Sequence, residues 1–190
     1  RAWPDDREAT DDAQIARAAG LGVAIVAGDP ALEKITFGDD VMTAEARLAA
    51  DWTVRTGMGF DVHAFKEGAE LWLGGVRIDH PRGLAGHSDA DVALHAVTDA
   101  LLGAIGEGDI GLHFPPDDPR WKGADSARFV EHARAMIDAR GGVIDHVDLT
   151  IICERPKIGP YRDAIRARVA ALLRVREGRI SIKATTTERL

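Results

Sequence analysis

The 190-residue chain has a single cysteine, Cys153. No intrachain disulfide can form, which fits a reducing compartment, and we expect the protein in the cytoplasm. Long apolar runs are missing as well: none approaches the roughly 20 residues that a membrane-crossing helix needs. Basic charge is not in excess. Lys and Arg number 24 against 31 Asp and Glu, a formal net charge of −7, and this argues against a nucleic-acid partner, which usually calls for a basic stripe. Low-complexity tracts, internal repeats and a signal-peptide pattern are all absent. The four tryptophans are scattered and mark no stacking surface. What remains is 45% hydrophobic and 29% charged residues, an ordinary globular mixture. A chain of this size is expected to bury about 70% of its unfolded surface, enough for a core without staples.

The composition shifts near residues 50–55, from Ala- and Asp-rich to Gly- and His-rich. We therefore expect two parts, 1–52 and 53–190. In the first, Thr10-Asp11-Asp12 predicts a helix start and Gly20 and Gly22 its end. Val23–Ala27 reads as a short buried strand, broken by Gly28-Asp29-Pro30, and Asp39–Ala50 has helical character. Some fifty residues of this kind bury too little to fold alone, so this part reads as an appendage.

In the second part Val54, Met58 and Phe60 alternate, predicting a half-buried strand over Thr53–Val62. Gly74-Gly75 marks a hairpin or bulge within Leu71–Ile78. Ser88, with Asp91 three residues on, resembles a capping box opening a helix through Val92, Ala96 and Leu101. Gly106–Pro119 reads as loop, and helices are expected over Ser126–Ala139 and Pro160–Leu173. Strands are expected over Val143–Cys153, with Val147, Leu149 and Ile151 on one side, and over Arg179–Thr187. Strands interleaved with helices imply an α/β or α+β domain.

Three constellations carry chemistry. Asp61 and His63 leave one face of an extended segment, and a carboxylate with an imidazole suits zinc or a similar divalent ion. His95 offers a third ligand, with Asp99 at i+4 to orient it; three ligands and an open position would mark a catalytic site. The competing reading makes His95 a satisfied core histidine. His87 and Ser88 precede a helix start, where anions are favoured. In Lys183-Ala184-Thr185-Thr186-Thr187-Glu188 the lysine and threonines suit a phosphate and the glutamate a hard cation, although the same residues suit an edge strand ending in solvent. Asp109, in Gly108-Asp109-Ile110-Gly111, could recognise a hydroxyl, and the turn Glu154–Gly159 could read a flat base. His80, His113, His132 and His146 show no partner spacing, His132 reading as an exposed helix position. Cys153 reads as a small buried residue rather than a nucleophile.

Together these motifs resemble the 2-C-methyl-D-erythritol 2,4-cyclodiphosphate synthase family over about residues 55–190. The resemblance rests on Gly59-Phe60-Asp61-Val62-His63-Ala64-Phe65, His87 through His95, Thr98 through Ala104, Gly108 through Gly111, Lys122 through Ser126, Asp148 through Ile152 and Lys183 through Glu188. Residues 1–50 are similar to the C-terminal end of 2-C-methyl-D-erythritol 4-phosphate cytidylyltransferase, through Glu8-Ala9-Thr10-Asp11-Asp12 and Glu33-Lys34-Ile35-Thr36. The two families occur fused in this order.

The resemblance implies an α+β fold, a mixed sheet with helices on one face, and sheets packed together in a homotrimer with active sites between subunits. It implies conversion of 4-diphosphocytidyl-2-C-methyl-D-erythritol 2-phosphate to the 2,4-cyclodiphosphate with release of CMP. Asp61, His63 and His95 match zinc ligands, and Glu188 a ligand of a second ion, Mg²⁺ or Mn²⁺. His87 and Thr186 match residues that stabilise the transition state. Substrate contacts match Asp61, His63, His87, Ser88, Asp109, Ile110, Gly111, Phe114, Asp118, the cytosine-reading turn Cys153, Glu154, Arg155, Pro156, Lys157, Ile158 and Gly159, and the segment Thr185, Thr186, Thr187 and Glu188. Lys34 matches a lysine that positions methylerythritol phosphate in the cytidylyltransferase. Val54, Met58 and Ile182 are candidate residues of an apolar inner trimer face. Two departures stand out: Pro116 where the family often has Asp, and a sequence that stops at Leu190 before the family's last strand. Two other readings compete. One is a zinc hydrolase with Asp89 or Asp91 as general base; the other is a non-catalytic scaffold.

Overall fold

The computed structural model describes residues 12–24, 26–28, 34–50 and 52–188. The chain divides into two compact units, residues 1–53 and 54–190.

In the first unit, α1 (Asp12–Ala18) closes through Ala19 and Gly20, whose φ of +76° only glycine adopts freely. Thr10 and Asp11, the start expected for α1, lie outside the described residues, as does Ile25. No strand forms over the described part of Val23–Ala27, and Val26 is 80% exposed. A buried strand needs a neighbour to satisfy its backbone, and the segment has none among the described residues of its unit. α2 (Gly38–Ala50) begins where the Thr36 and Phe37 N–H groups donate to Asp40 Oδ2, each at 2.8 Å. Those two donors hold the Asp40 carboxyl below its usual range. Val41, Met42 and Leu48 of α2 are exposed, and no described residue of this unit is buried.

The second unit is α+β, its strands divided among three two-stranded ladders. β1 (Phe65–Glu67) pairs antiparallel with β4 (Arg82–Leu84), a ladder the sequence pattern did not suggest. β2 (Leu71–Leu73) and β3 (Val76–Ile78) form the hairpin expected at Gly74-Gly75. Both glycines have positive φ, as a tight two-residue turn requires. β5 (Val147–Ile152) and β6 (Ile180–Thr185) pair in parallel, Leu149 opposite Ile182. Helix α5 (Ala127–Ala139) packs against α3 (Val92–Ala104) and α6 (Arg162–Leu173), and α3 and α6 pack over this last ladder.

The core lies between them. Leu149 and Ile151 of β5 and Ile180 and Ile182 of β6 meet Leu94, Leu102, Val130, Ile165 and Val169 from the helices. Ile182 thus belongs to the chain's own core, not to an assembly face. The opposite face of the ladder carries Asp148, Thr150, Ile152, Ser181, Lys183 and Thr185, mostly polar where an apolar inner face was expected. Lys183 Nζ donates to Asp148 Oδ2 at 2.6 Å and helps hold that carboxyl below its usual range.

Two further expectations are corrected. The segment Thr53–Val62 is extended but joins no ladder, and Val54, Met58 and Phe60 are 90%, 89% and 75% exposed. Its backbone lies instead against α3: a Cβ on Gly57 or Gly59 would sit 1.8 Å from the Ala100 or Ala96 carbonyl oxygen. Glycine at both positions permits this approach. The stretch Gly106–Pro119 is not wholly loop. It contains a one-turn helix, α4 (Ile110–His113), capped by Asp109, whose carboxylate accepts the Leu112 N–H.

Candidate metal centre

The close approach of residues 57–59 to α3 builds the site. It sets the next two polar residues of the extended segment, Asp61 and His63, beside His95 in the first turn of the helix. Phe60 and Val62 turn outward while Asp61 and His63 are half-buried, the alternation of an extended chain. His63 Nε2 lies 2.9 Å from Asp61 Oδ2, and His95 Nδ1 lies 3.0 Å from the same oxygen. The three residues offer one ligand atom each, all within 4.8 Å of one another.

Helix α3 starts later than the capping-box pattern suggested. Its N-cap is Asp91, not Ser88. The Asp91 carboxylate accepts the Leu94 N–H at 3.0 Å and, across the unit, the Gly74 and Gly75 N–H groups at 2.8 and 2.6 Å. One side chain therefore caps the helix and pins the β2–β3 turn to it. Burial pushes its carboxyl up, and those three donors oppose the shift. The helix start is filled by this carboxylate rather than left open for an anion. His87 lies four residues before the cap, exposed, with its carbonyl accepting the Gly123 N–H.

The partners of the two imidazoles test whether the cluster fits a metal. His63 Nδ1 faces the Ala85 carbonyl oxygen, which can only accept, so Nδ1 carries the proton. His95 Nε2 lies 2.9 Å from Ser126 Oγ and 3.0 Å from Ser88 Oγ. The Ser126 hydroxyl donates to Asp89 Oδ1, which leaves its lone pairs for His95 Nε2–H. In the neutral rings both remaining nitrogens are then bare and face the Asp61 carboxylate. Two lone pairs and a carboxylate converging at about 3 Å form a donor set that suits a cation among them. The donor set of two imidazoles and a carboxylate suits a zinc-like divalent ion.

Asp99, expected to orient His95, does not reach it. Its Oδ1 accepts the Ile110 N–H at 2.8 Å and so anchors α4 to α3. Pattern reading considered Asp89 only as a general base and Ser126 only as a helix start, and it missed that both lie behind His95; nothing local signals the link, since Ser126 is 31 residues and another helix away.

The remaining predicted residues fall into three groups. Phe114 is 9% exposed and packs against Trp121 and Phe129, with His132 edge-on. Trp121 is therefore part of an aromatic cluster. His132, exposed as expected, does have a partner: its Nε2 lies 3.3 Å from His113 Nδ1. Asp118 pairs with Arg120, which holds its carboxyl low.

The second group is the Cys153–Gly159 turn, which is tied to the end of β6. Cys153 N–H donates to the Thr185 carbonyl oxygen, and Glu154 Oε1 accepts both the Thr187 N–H at 3.0 Å and the Thr187 hydroxyl at 2.9 Å. Arg155 and Lys157 are exposed, Pro156 is half-buried, and Ile158 is buried in the core. Burial pushes the Cys153 thiol up, away from a nucleophilic thiolate. In the third group Thr186 Oγ1 donates to Glu188 Oε1 at 2.6 Å, and Glu188 adopts a left-handed backbone with φ of +54°. Lys34, in the first unit, is exposed.

An α+β domain in which an extended segment and a helix bring an Asp-His-His triad to one point is, by its chemistry, a candidate metal-dependent enzyme. The chain belongs to the YgbB family, whose pattern residues 54–190 match. It is 66% identical over 190 residues to the bifunctional enzyme IspD/IspF of Rhizorhabdus wittichii, covering all of this chain and 49% of that protein. It is 54% identical over 183 residues to the protein of the same name from Caulobacter vibrioides, covering 96% and 48%. The chain thus spans about half the length of these relatives. A CDP-bound structure of 2C-methyl-D-erythritol-2,4-cyclodiphosphate synthase superposes with a TM-score of 0.68 at 44% identity, over 72% of this chain and 91% of that one. The bifunctional IspDF of Campylobacter jejuni gives 0.65 at 36% identity, over 98% and 50%.

Proposed function

We propose that residues 54–190 form a 2-C-methyl-D-erythritol 2,4-cyclodiphosphate synthase. The substrate is 4-diphosphocytidyl-2-C-methyl-D-erythritol 2-phosphate, and the products are the 2,4-cyclodiphosphate and CMP, in non-mevalonate isoprenoid precursor synthesis. The observation that carries the reading is the Asp61-His63-His95 cluster, in a chain of the YgbB family with a CDP-bound structural neighbour.

Atoms balance without a protein nucleophile. An oxygen of the 2-phosphate attacks the β-phosphorus, and the bond to the α-phosphate oxygen breaks and releases CMP. Repulsion between two anionic phosphates is the main obstacle, so positioning and charge neutralisation are what the site must supply. Zn²⁺ held by Asp61, His63 and His95, with Mg²⁺ or Mn²⁺ at Glu188, would supply Lewis-acid polarisation and a template when bound. His87, Ser88, Thr185, Thr186 and Thr187 are assigned to the phosphates. His87 and Thr186 stabilise the charge that develops in the transition state. Asp109, Ile110 and Gly111 are assigned to the ribose, with Phe114 and Asp118 near that loop. The turn Cys153–Gly159 reads cytosine, largely through backbone.

The exposed apolar row Val54, Met58, Phe60 and Val62 supports a homotrimer with sites between subunits. Residues 1–52 are assigned to the end of a methylerythritol phosphate cytidylyltransferase, with Lys34 as a substrate-positioning residue of that domain. The full-length enzyme would thus also be a nucleotidyltransferase. Its place is the cytoplasm, and no described helix is long and apolar enough to cross a membrane. The hydrolase reading is disfavoured because Asp89 and Asp91 already accept Ser126 and backbone hydrogens, leaving neither aimed at a metal-bound water.

The decisive test incubates the full-length protein with the diphosphocytidyl substrate, Zn²⁺ and Mg²⁺ and follows both products. CMP and cyclic diphosphate are expected in equal amounts. CMP with a linear product would support a hydrolase instead, and binding without CMP release a scaffold.

A further inference from the structure

We infer that Ser126 and Asp89 form a positioning relay that fixes the tautomer of His95 and so selects Nδ1 as its metal-facing atom; the inference rests on the metal-site reading above. Ser126 is the N-cap residue of α5, yet its hydroxyl makes no cap bond to its own helix. A serine at that position ordinarily accepts from the N–H two or three residues on. Asp125 stands in, accepting the Ala127 N–H at 2.8 Å. Ser126, completely buried, turns instead toward His95. The direction of its proton is fixed from behind. Asp89 Oδ2 accepts the Ser126 N–H at 3.1 Å and Asp89 Oδ1 accepts its O–H, a two-point clasp on one residue. Asp89 is itself anchored, its N–H donating to Ala124 and its Oδ1 accepting the Asp91 N–H at 3.2 Å.

A carboxylate only accepts, so the hydroxyl proton goes to Asp89 and Ser126 Oγ is left to accept, with His95 Nε2 its nearest donor at 2.9 Å. In this arrangement His95 carries its proton on Nε2, leaving Nδ1 bare toward Asp61 and His63. Ser88 Oγ, 3.2 Å from Ser126 Oγ and 3.0 Å from His95 Nε2, lies on the same side of the ring. No residue of the relay reaches the metal-facing atoms. Its effect passes through the imidazole, as outer hydrogen bonds to ligating histidines generally act.

Asp89→Asn is the sharpest probe. The amide keeps the shape but offers an N–H to Ser126 Oγ, so the serine hydroxyl must donate to His95 Nε2. That forces the Nδ1–H tautomer and blocks the ligating atom, the reversal of polarity known for a carboxylate behind a catalytic histidine. Nitrogen-15 spectra of the metal-free full-length protein are expected to show His95 as the Nε2–H tautomer. Asp89→Asn is expected to switch it to Nδ1–H, and Ser126→Ala to give a mixture. Zinc affinity, from competition with a chelator, is expected to fall about 10–100-fold in both. An Nδ1–H tautomer in the unmodified protein overturns the relay even if neither variant folds. Unchanged tautomer and affinity in folded variants overturn it also. An unmodified protein that binds no zinc overturns the metal-site reading instead, whatever its tautomer.

Discussion

Two extended stretches of the second unit alternate in opposite senses. In β5 and β6 the apolar residues Leu149, Ile151, Ile180 and Ile182 face the helices, and the polar ones face out. In residues 54–63 the half-buried side chains are the polar Asp61 and His63, and Val54, Met58, Phe60 and Val62 are outside. Alternation tells which side chains share a face; it does not tell which face the chain itself covers. The first stretch is held by burial. The second is held by two glycines against α3 and by the side chains that converge on His95.

The comparison predicts opposite responses to mutation. Ile182→Ala is expected to cost about 2–5 kcal/mol, the usual result of emptying a core site. Val54→Asp combined with Met58→Asp should leave the chain's helical content unchanged and shift sedimentation toward single chains. Urea unfolding and analytical ultracentrifugation separate the two. A stable Ile182→Ala protein, or an unfolded double variant, would erase the distinction between the stretches.

Gly59→Ala tests the close approach directly. Its Cβ meets helix backbone at 1.8 Å, so the segment must move and take Asp61 and His63 with it. Zinc affinity should drop at least about tenfold, the scale seen when a ligand's support is lost, with α3 still helical by circular dichroism. Unaltered affinity would mean that the approach does not position the ligands.

A smaller effect is expected at the other end of the site. Glu154→Ala removes the one oxygen that accepts both Thr187 hydrogens, each net hydrogen bond being worth about 1 kcal/mol. Exchange of the Thr187 amide hydrogen should accelerate about fivefold to thirtyfold, while that of Leu149 stays slow. Equal protection in both proteins would show that the turn and the end of β6 are not coupled through Glu154.

The smallest effect concerns pH. Burial, with the neighbouring His113 second, holds His132 below its ordinary value of 6.5. The folded ring releases its proton at a lower pH than the unfolded ring. The stability linked to it is therefore complete above about 6.5 and falls as pH drops toward the folded value. His132→Gln should flatten the dependence of the urea midpoint on pH across that window. A midpoint that rises on acidification in the unmodified protein, and loses that rise in the variant, would reverse the assignment.

Much of this was legible locally. Gly74-Gly75 within Leu71–Ile78 marked a hairpin or bulge, and the structure makes it a hairpin, in which both glycines have positive φ. The spans of α5 and α6 followed from helical patterning, with Gly141-Gly142 ending the first. Asp61-x-His63 put two ligand types on one face, because an extended chain repeats every second residue. Asp91 shows where local reading stopped. Ser88 had the better capping signature, but Asp91 also reaches Gly74 and Gly75, and that long-range contact settled which residue starts the helix. The row Val54–Phe60 differs from the half-buried strand expected for a related reason: its alternation is real, but no described part of its own unit covers it.

By itself the sequence determined the ligand types, the glycine turn between β2 and β3 and the spans of α5 and α6, since each depends on neighbours within a turn or a strand pair. Only the tertiary structure decided that Asp61 and His63 meet His95, that Asp99 serves α4 instead, and that Ser126 and Asp89 stand behind the imidazole. Those contacts join residues 11 to 37 positions apart. At such separations periodicity names the face a side chain leaves by, and packing alone chooses what it meets.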